Sequence, residues 1–92
     1  MIRSFCHKGL RRLYEDDDRL GVGAEHVERI AGILARLDAA DDVQAMALPS
    51  YRLHALKGDL TGFWAVTVRA NWRITFRLQH GDAWDVDLVD YH

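Results

Sequence analysis

The spacing of apolar residues changes at Pro49, the single proline of this 92-residue chain, and this change constrains the fold more than any other feature. Before Pro49, apolar residues recur three or four positions apart, at Val27, Ile30, Ile33, Leu34 and Leu37. This spacing predicts an amphipathic helix over about residues 24–39. After Pro49, apolar and polar residues alternate, and a period of two predicts strands with one buried face.

The remaining elements follow from the same two periods. Leu10, Leu13 and Tyr14 share one face of a shorter predicted helix that starts at Lys8. A short helical turn is expected within residues 41–48. Strands are predicted at residues 2–5, 51–56, 63–69, 72–79 and 83–89, the last two being joined by a turn over residues 80–82. We therefore expect an α+β fold in which two N-terminal helices pack on an antiparallel β-sheet.

Alternation in the last two strands predicts which side chains share a face. The apolar set should face the helices: Trp72, Ile74, Phe76, Leu78, Trp84, Val86 and Leu88. The charged residues of the same strands should fall on the opposite, open face: Arg73, Arg77, Asp85 and Asp87. Arg77 is expected to stand opposite Asp85 and to form an ion pair with it. Three further side chains are expected on the open face or at its rim: His54, Lys57 and Arg69.

Composition favours one globular domain over residues 1–92, with 49% hydrophobic and 28% charged residues. No apolar run approaches the roughly 20 residues of a transmembrane helix, and the N-terminus lacks an apolar signal core, so a cytoplasmic protein is expected. Cys6, the single cysteine, excludes an intramolecular disulfide and sites built on several thiolates. His7, His26 and His80 have no partner at metal-ligand spacing, so neither a metal ion nor another cofactor is expected.

Charge is divided among segments although the net charge is only −2. Residues 1–12 carry +4, residues 13–50 carry −6, residues 51–80 carry +4 and residues 81–92 carry −4. Two basic segments separated by an acidic one could fold into a positive face backed by a negative one. The alternative is a surface of interleaved charges that neutralise one another.

The residue types of the open face suit phosphodiester cleavage without a metal ion. Histidine can take or give a proton near neutral pH, arginine and lysine can stabilise a phosphate, and tyrosine can stack on a base. Each residue also has a structural alternative. His54 can be a surface residue of an edge strand, Arg77 can be neutralised by Asp85, and the tryptophans can be core residues.

Seven stretches of sequence carry a resemblance that covers nearly the whole chain and is strongest in its second half. They are residues 2–5 (IRSF), 7–10 (HKGL), 51–59 (YRLHALKGD), 62–64 (GFW), 68–76 (VRANWRITF), 81–83 (GDA) and 90–92 (DYH). With these stretches the sequence resembles the HigB toxins of the RelE superfamily, the plasmid-maintenance killer proteins of bacterial toxin–antitoxin systems. The resemblance implies the compact RelE-like fold, which is similar to that of microbial ribonucleases. That fold agrees with the order of elements inferred from periodicity.

The resemblance also implies an activity, the ribosome-dependent cleavage of mRNA in the ribosomal A site. The family's chemistry is a metal-free attack of the ribose 2′-hydroxyl on the adjacent phosphate, which leaves a 2′,3′-cyclic phosphate. The positions that match the family's catalytic residues are His54, Arg73, Asp90, Tyr91 and His92. Those expected to bind the phosphate of the RNA are Lys57, Arg69 and Arg73.

The partners that the resemblance implies are a HigA-type helix-turn-helix antitoxin, the ribosome and its mRNA. DNA would be contacted through the antitoxin, and no membrane partner is expected. Two alternatives stay open. One is a non-catalytic module of the same fold that binds the ribosome or the antitoxin. The other is a free ribonuclease, which is disfavoured because so small an open face offers little grip on an isolated strand. The sequence does not decide which of His54, Asp90 and His92 is base or acid.

Overall fold

The structure, a computed structural model, describes residues 1–91 and contains two helices followed by four strands. The elements are α1 (Lys8–Asp16), α2 (Val27–Ala39), β1 (His54–Ala55), β2 (Trp64–Arg69), β3 (Trp72–Gln79) and β4 (Asp82–Asp90). The strands form one antiparallel sheet in the order β1-β2-β3-β4. The predicted α+β architecture is therefore confirmed. No helix within residues 1–91 is long and apolar enough to cross a membrane.

Both helices pack against one face of the sheet and enclose the core. Ile30, Ile33 and Leu37 of α2 are fully buried, as the helical spacing of apolar residues predicts. They share one cluster with the inward side chains of the strands, which include Val66, Ile74, Phe76 and Val86. Burying a side chain of this size stabilises the fold by about 2 kcal/mol. The opposite face of the sheet, here named the outer face, carries Ala65, Thr67, Arg73 and Thr75.

α1 begins with a histidine cap and packs through a pair of glycines. The Nδ1 atom of His7 accepts a hydrogen bond from the N–H of Leu10 at 3.2 Å, which satisfies a donor of the first helical turn. Gly9 lies so close to Gly21 that a Cβ atom on Gly9 would stand 2.1 Å from the Gly21 carbonyl oxygen. Only glycine at position 9 therefore allows α1 to contact the loop that leads to α2.

α2 begins at Val27, three residues later than the sequence indicates. The N–H of His26 donates to the carbonyl of Gly23 at 2.9 Å, so residues 24–26 form a turn ahead of the helix. Val27, the first residue of α2, is also the first residue of its stripe of apolar side chains. The helical turn expected within residues 41–48 is a 3₁₀ turn, Val43–Met46, which the Asp42 side chain caps.

The predicted strand over residues 51–56 is reduced to the two residues of β1. Pro49 opens a 3₁₀ turn that ends at Tyr51, whose side chain is buried. Arg52 then adopts a φ of 50°, in the left-handed region, and this conformation interrupts the extended backbone. The strand therefore begins three residues later than predicted.

The predicted strand over residues 2–5 lies along β4 but is interrupted. Two isolated parallel bridges connect it to β4: Ile2 with Ala83, and Phe5 with Val86. Between these bridges the N–H of Asp85 donates to the Ser4 hydroxyl oxygen at 2.8 Å instead of to a backbone carbonyl. The segment therefore covers the edge of β4 without forming a regular ladder.

The register between β3 and β4 differs from the prediction by a bulge. Their turn has two residues, His80 and Gly81, whose φ angles of 54° and 80° are typical of a type I′ hairpin turn. This two-residue turn places Trp84, and not Asp85, opposite Arg77, and the register shifts by one residue only beyond that pair, near Asp85, which has a φ of 56°. An inserted residue moves its neighbour to the other face. Trp84 therefore lies on the outer face, and its assignment to the core face was wrong.

The carboxylate of Asp38 joins α2 to α1 and to the N-terminal segment. Its Oδ1 atom accepts from the Tyr14 hydroxyl at 2.6 Å and from the Ile2 N–H at 2.9 Å. The bond from Tyr14 and then that from Ile2 hold the pKa of Asp38 below its usual value. The same contact with Asp38 raises the pKa of Tyr14 to about 12. The pair is therefore stabilising while Asp38 is ionised and Tyr14 is protonated.

Replacing Tyr14 by phenylalanine should reveal this pair through its pH dependence. At pH 7 we expect Tyr14→Phe to lower the free energy of unfolding by about 1 kcal/mol, the net value of one partly exposed hydrogen bond. The folded-state pKa of Asp38 is lowered, so this contribution is present above about pH 4 and is lost as the pH falls further. The pKa of Tyr14 is raised, so the contribution is also lost as the pH rises from about 10 through 12.

Urea unfolding of wild type and Tyr14→Phe at pH 2, 7 and 12 measures the difference directly. A difference in unfolding free energy that is the same at all three pH values would contradict this role of the pair.

Candidate active site

Two rows of side chains cross the outer face near its β1 edge. In the first row, cross-strand pairing aligns His54, Ala65, Thr75 and Asp87. In the second, it aligns Thr67, Arg73 and Val89. Directly paired residues of neighbouring strands share a face, so His54 and Arg73 both belong to the outer face. Their Cα atoms are separated by two strand spacings and one side-chain repeat, about 12 Å in all.

The imidazole of His54 is exposed, and its orientation is defined by one hydrogen bond. Its Nδ1 atom lies 3.0 Å from the carbonyl oxygen of Arg52. A carbonyl oxygen only accepts, so the hydrogen of this bond resides on Nδ1. In the neutral ring the lone pair is then on Nε2. His54 can therefore accept a proton at Nε2 from a substrate on the outer face.

Arg73 contributes a guanidinium group to the same face. Its Nη1 atom donates to the carbonyl of Ala70 at 2.5 Å and to that of Trp72 at 3.1 Å. These bonds hold the side chain against the β2–β3 hairpin. Within residues 1–91 its hydrogen bonds all start from Nη1, so Nε and Nη2 can donate to a phosphate in the forked geometry of arginine.

The β2–β3 hairpin collects further residues that the sequence predicts for the site. Arg69 is exposed at the end of β2, beside the two-residue loop of Ala70 and Asn71. The N–H of Tyr91 donates to the carbonyl of Asn71 at 2.8 Å, which holds Tyr91 at this end of the sheet with its side chain exposed. The hairpin thus holds Tyr91 at the end of the sheet that carries Arg73. Arg69, however, pairs with Trp72, so strand alternation directs its side chain to the helix side of the sheet, away from the row of Arg73.

Two further predicted residues lie away from the row of Arg73, and one lies outside the described residues. Asp90 pairs with Trp72, so by strand alternation its side chain leaves the sheet on the helix side, away from the row of Arg73. Lys57 is exposed beyond the other end of β1, about 10 Å along the chain from His54 and away from the hairpin. His92 lies outside the described residues.

The other charged residues of the outer face are engaged with neighbours. Arg77 donates through Nε and Nη2 to one oxygen of Asp85, at 3.0 and 2.8 Å, so the expected ion pair forms despite the shifted register. Asp87 accepts from the N–H of Leu88 at 2.9 Å. Asp87 shares a row with His54, but three strand spacings, about 14 Å, separate them.

The two basic segments do not share one face. Lys8, Arg11 and Arg12 lie on α1, on the helix side of the sheet, whereas Arg73 and Arg77 lie on the outer face. The positive charge near His54 therefore comes from the second segment alone. Within residues 1–91, no group of three or more histidine, cysteine or acidic residues is arranged to hold a metal ion.

Arg29 supports the site, and sequence analysis missed it. From α2 its guanidinium donates to the carbonyls of Val68 at 2.5 Å, Ser50 at 2.8 Å and Thr67 at 3.0 Å. The guanidinium also stands 5.3 Å from the centre of the Tyr51 ring. It thus joins the turn that precedes β1 to the part of β2 where Val68 forms a bulge. In sequence, Arg29 is indistinguishable from a solvent-exposed helix arginine, so no pattern could have identified it.

The chain is similar to known bacterial toxins in sequence. Residues 3–92 match the family model described as the RelE-like toxin of type II toxin–antitoxin system HigB. The chain is also 48% identical over 92 residues to the endoribonuclease HigB of Proteus vulgaris, an alignment that covers all of both chains.

Solved structures of other bacterial proteins share the fold. A YafQ mutant from E. coli superposes with a TM-score of 0.62 at 14% identity, covering 98% of this chain and 91% of that one. YoeB from Staphylococcus aureus, solved as a dimer, gives a TM-score of 0.61 at 15% identity, covering 99% of this chain and 94% of that one. At these identities the similarity concerns the arrangement of helices and strands.

Removing the Arg29 guanidinium should destabilise the protein more than removing a similar group from the same helix. We expect Arg29→Met to lower the free energy of unfolding by about 2 kcal/mol, because three carbonyl groups lose a charged donor. Arg36→Met is the matched control, since Arg36 donates one exposed bond, to the Ala45 carbonyl at 2.7 Å. Urea unfolding measures both variants. Equal losses of unfolding free energy would contradict the bridging role of Arg29.

Proposed function

The chain belongs to the HigB-like family, the RelE-like toxins of type II toxin–antitoxin systems, and from this we propose that it cuts mRNA in the ribosomal A site. It is an endoribonuclease, as its full-length similarity to the endoribonuclease HigB of Proteus vulgaris supports. The observation that carries the proposal is the presence, on one face of the sheet, of an exposed imidazole oriented by a hydrogen bond and of a guanidinium that uses only Nη1 in its hydrogen bonds within residues 1–91. Residues 1–92 act together as one toxin domain.

The reaction begins with the 2′-hydroxyl of the ribose on the 5′ side of the scissile bond. The Nε2 atom of His54 takes its proton, and the oxygen attacks the adjacent phosphorus. Negative charge develops on the phosphate oxygens as phosphorus becomes five-coordinate. Nε and Nη2 of Arg73 donate to these oxygens, and Arg69 adds a positive charge at the hairpin. The products are a 2′,3′-cyclic phosphate and a 5′-hydroxyl group.

The 5′-oxygen needs a proton as it leaves, and the C-terminal residues are proposed to supply it. His92 is the proposed acid, because imidazolium donates readily near neutral pH. Tyr91, exposed at the hairpin end, stacks on a base and so orients the substrate. Asp90 acts from the helix side of the sheet on its neighbours in the C-terminal stretch, and Lys57 attracts the phosphate backbone at the β1 edge.

Dependence on the ribosome follows from how few contacts the outer face provides. Two rows of side chains cannot order a flexible RNA strand by themselves, since ordering a strand has a large entropic cost. An mRNA already held in the A site presents its 2′-hydroxyl and phosphate in a fixed arrangement, which makes attack far more probable. The net charge of −2 also makes tight binding to free RNA unfavourable.

As a toxin of a type II system, the chain has an antitoxin partner. We propose that this partner is a HigA-type antitoxin with a helix-turn-helix motif. In the toxin–antitoxin complex, the antitoxin contacts the DNA. The ribosome and its mRNA are the other partners, so the toxin acts in the cytoplasm.

Primer extension on an mRNA in a reconstituted translation reaction tests the proposal. We expect new 5′ ends within codons when wild-type protein and ribosomes are both present, and none when ribosomes are omitted. Cuts in both reactions would contradict ribosome dependence and indicate a free ribonuclease. Stalled ribosomes without cuts would contradict the endonuclease and indicate a binding module.

Replacing His54 should abolish the proton transfer while preserving binding. We expect His54→Ala to lower the single-turnover rate of mRNA cleavage about 100- to 1000-fold, the range typical of a lost general base. The ribosome concentration that gives half the maximal rate should be unchanged.

His80→Asn is the matched control for His54→Ala. His80 is exposed in the β3–β4 turn with a left-handed backbone, which asparagine tolerates. This variant should cut at the wild-type rate. A His54→Ala protein that cuts as fast as His80→Asn would remove His54 from the mechanism.

A further inference from the structure

Three side chains stand side by side across β2, β3 and β4 on the outer face, and they form what we name the Phe63 row: Phe63, Arg77 and Trp84. Trp84 is directly opposite Arg77 in the register of β3 and β4. Phe63 immediately precedes β2, and the centre of its ring is 5.7 Å from the guanidinium carbon of Arg77. The row lies one side-chain repeat, about 7 Å, from the row of His54.

The two aromatic rings of this row are separate from the core. Trp64 and Trp72 pack against the core cluster, and Phe76 is fully buried within it. Phe63 and Trp84 are partly exposed and do not belong to that cluster or to the side chains packed on it. Their apolar surface is therefore available on the face that carries His54.

Arg77 is fixed between the rings, and its charge is balanced. The Asp85 carboxylate receives two hydrogen bonds from Arg77, and Ser4 in turn accepts from the Asp85 N–H at 2.8 Å. The Arg77 side chain is 30% exposed to solvent. A guanidinium whose charge is neutralised is poorly suited to bind a phosphate, but its flat surface still stacks on aromatic groups.

We infer that the Phe63 row is a binding subsite for an unpaired nucleobase of the mRNA, that of the nucleotide adjoining the scissile bond. The inference rests on the proposed function, since it takes the substrate to be single-stranded RNA. Proteins recognise splayed RNA bases by stacking them on aromatic rings and on guanidinium planes, and this row offers both. The paired Arg77 and Asp85 leave the row nearly neutral, which favours a base over a phosphate.

The Phe63 row lies directly beside the row of His54, and this position indicates which ligand it binds. A strand whose phosphate lies between His54 and Arg73 must continue across the outer face. Toward the β3–β4 turn it meets the Phe63 row, with Lys57 exposed near the same end of β1. The subsite therefore contributes to substrate binding without taking part in proton transfer.

A double-mutant cycle between Trp84 and the base tests the subsite. Ribosomes carry an mRNA with 2′-deoxyribose at the cut nucleotide, mapped beforehand by primer extension, so that no attack occurs. An abasic nucleotide is placed on the 5′ side or the 3′ side of the scissile bond. The Kd of the toxin for these ribosomes is measured for wild type, Trp84→Leu and Trp84→Phe.

With the intact mRNA we expect Trp84→Leu to raise the Kd about tenfold, the loss typical of one base–aromatic contact. With one of the two abasic mRNAs, wild type and Trp84→Leu should bind equally weakly. Trp84→Phe should bind the intact mRNA nearly as well as wild type, because it retains a ring. Arg77→Lys keeps a positive charge beside Asp85 but loses the flat guanidinium group. It should weaken binding to ribosomes that carry the intact mRNA, and not to those that carry the abasic mRNA.

Leu60→Ala provides the matched control, because Leu60 is a large apolar residue, 43% exposed, outside the row. Its Kd should equal that of wild type. If Trp84→Leu weakens binding equally on intact and on both abasic mRNAs, Trp84 is structural or contacts another partner, and the subsite is refuted. If wild type fails to cut programmed ribosomes at all, the proposed function fails and the subsite fails with it.

Discussion

The position of His54 depends on Arg29, because β1 is too short to fix the position of this side chain by itself. β1 contributes two residue pairs to the sheet, and each ladder hydrogen bond adds only about 1 kcal/mol of net stability. Arg29 donates to Ser50, just before β1, and to Thr67 and Val68 on β2. It therefore fixes the edge segment and the strand beside it to the same helix. The hydrogen bond to the Arg52 carbonyl then sets the rotamer of His54.

Two β-bulges decide which side chains meet on the outer face. The bulge at Val68 ends the regular pairing of β2 just before Arg69, at the hairpin whose carbonyls hold Arg73. The bulge at Asp85 turns Trp84 outward, opposite Arg77. Bulges of this kind redirect side chains near functional sites in many sheets. Here they leave one face with an imidazole, a guanidinium and a row of aromatic groups, while the other face packs on the helices.

Much of this arrangement could be predicted because the apolar pattern is nearly complete. The predicted strand over residues 72–79 coincides with β3, and the stripe from Val27 to Leu37 identifies α2. The shortened β1 and the outward Trp84 could not be predicted. Both result from a left-handed conformation at a residue other than glycine, Arg52 in one case and Asp85 in the other. Neither residue signals that conformation in the sequence.

The residues of the candidate site are a prediction from the family resemblance, and the structure adds their geometry. The resemblance predicts His54, Arg73 and Tyr91 as site residues, whereas only the register of β3 and β4 shows that Asp90 leaves the sheet on the helix side. Arg29 was beyond prediction, because its role arises from three carbonyl groups that are distant in sequence.

The most direct test is a structure of the wild-type toxin on a ribosome whose mRNA carries 2′-deoxyribose at the cut nucleotide. We predict that the scissile phosphate lies on the outer face, with one of its oxygens bonded to Arg73 and the ribose C2′ atom facing Nε2 of His54. An mRNA seated on the helix layer, or a phosphate that neither side chain reaches, would contradict this prediction.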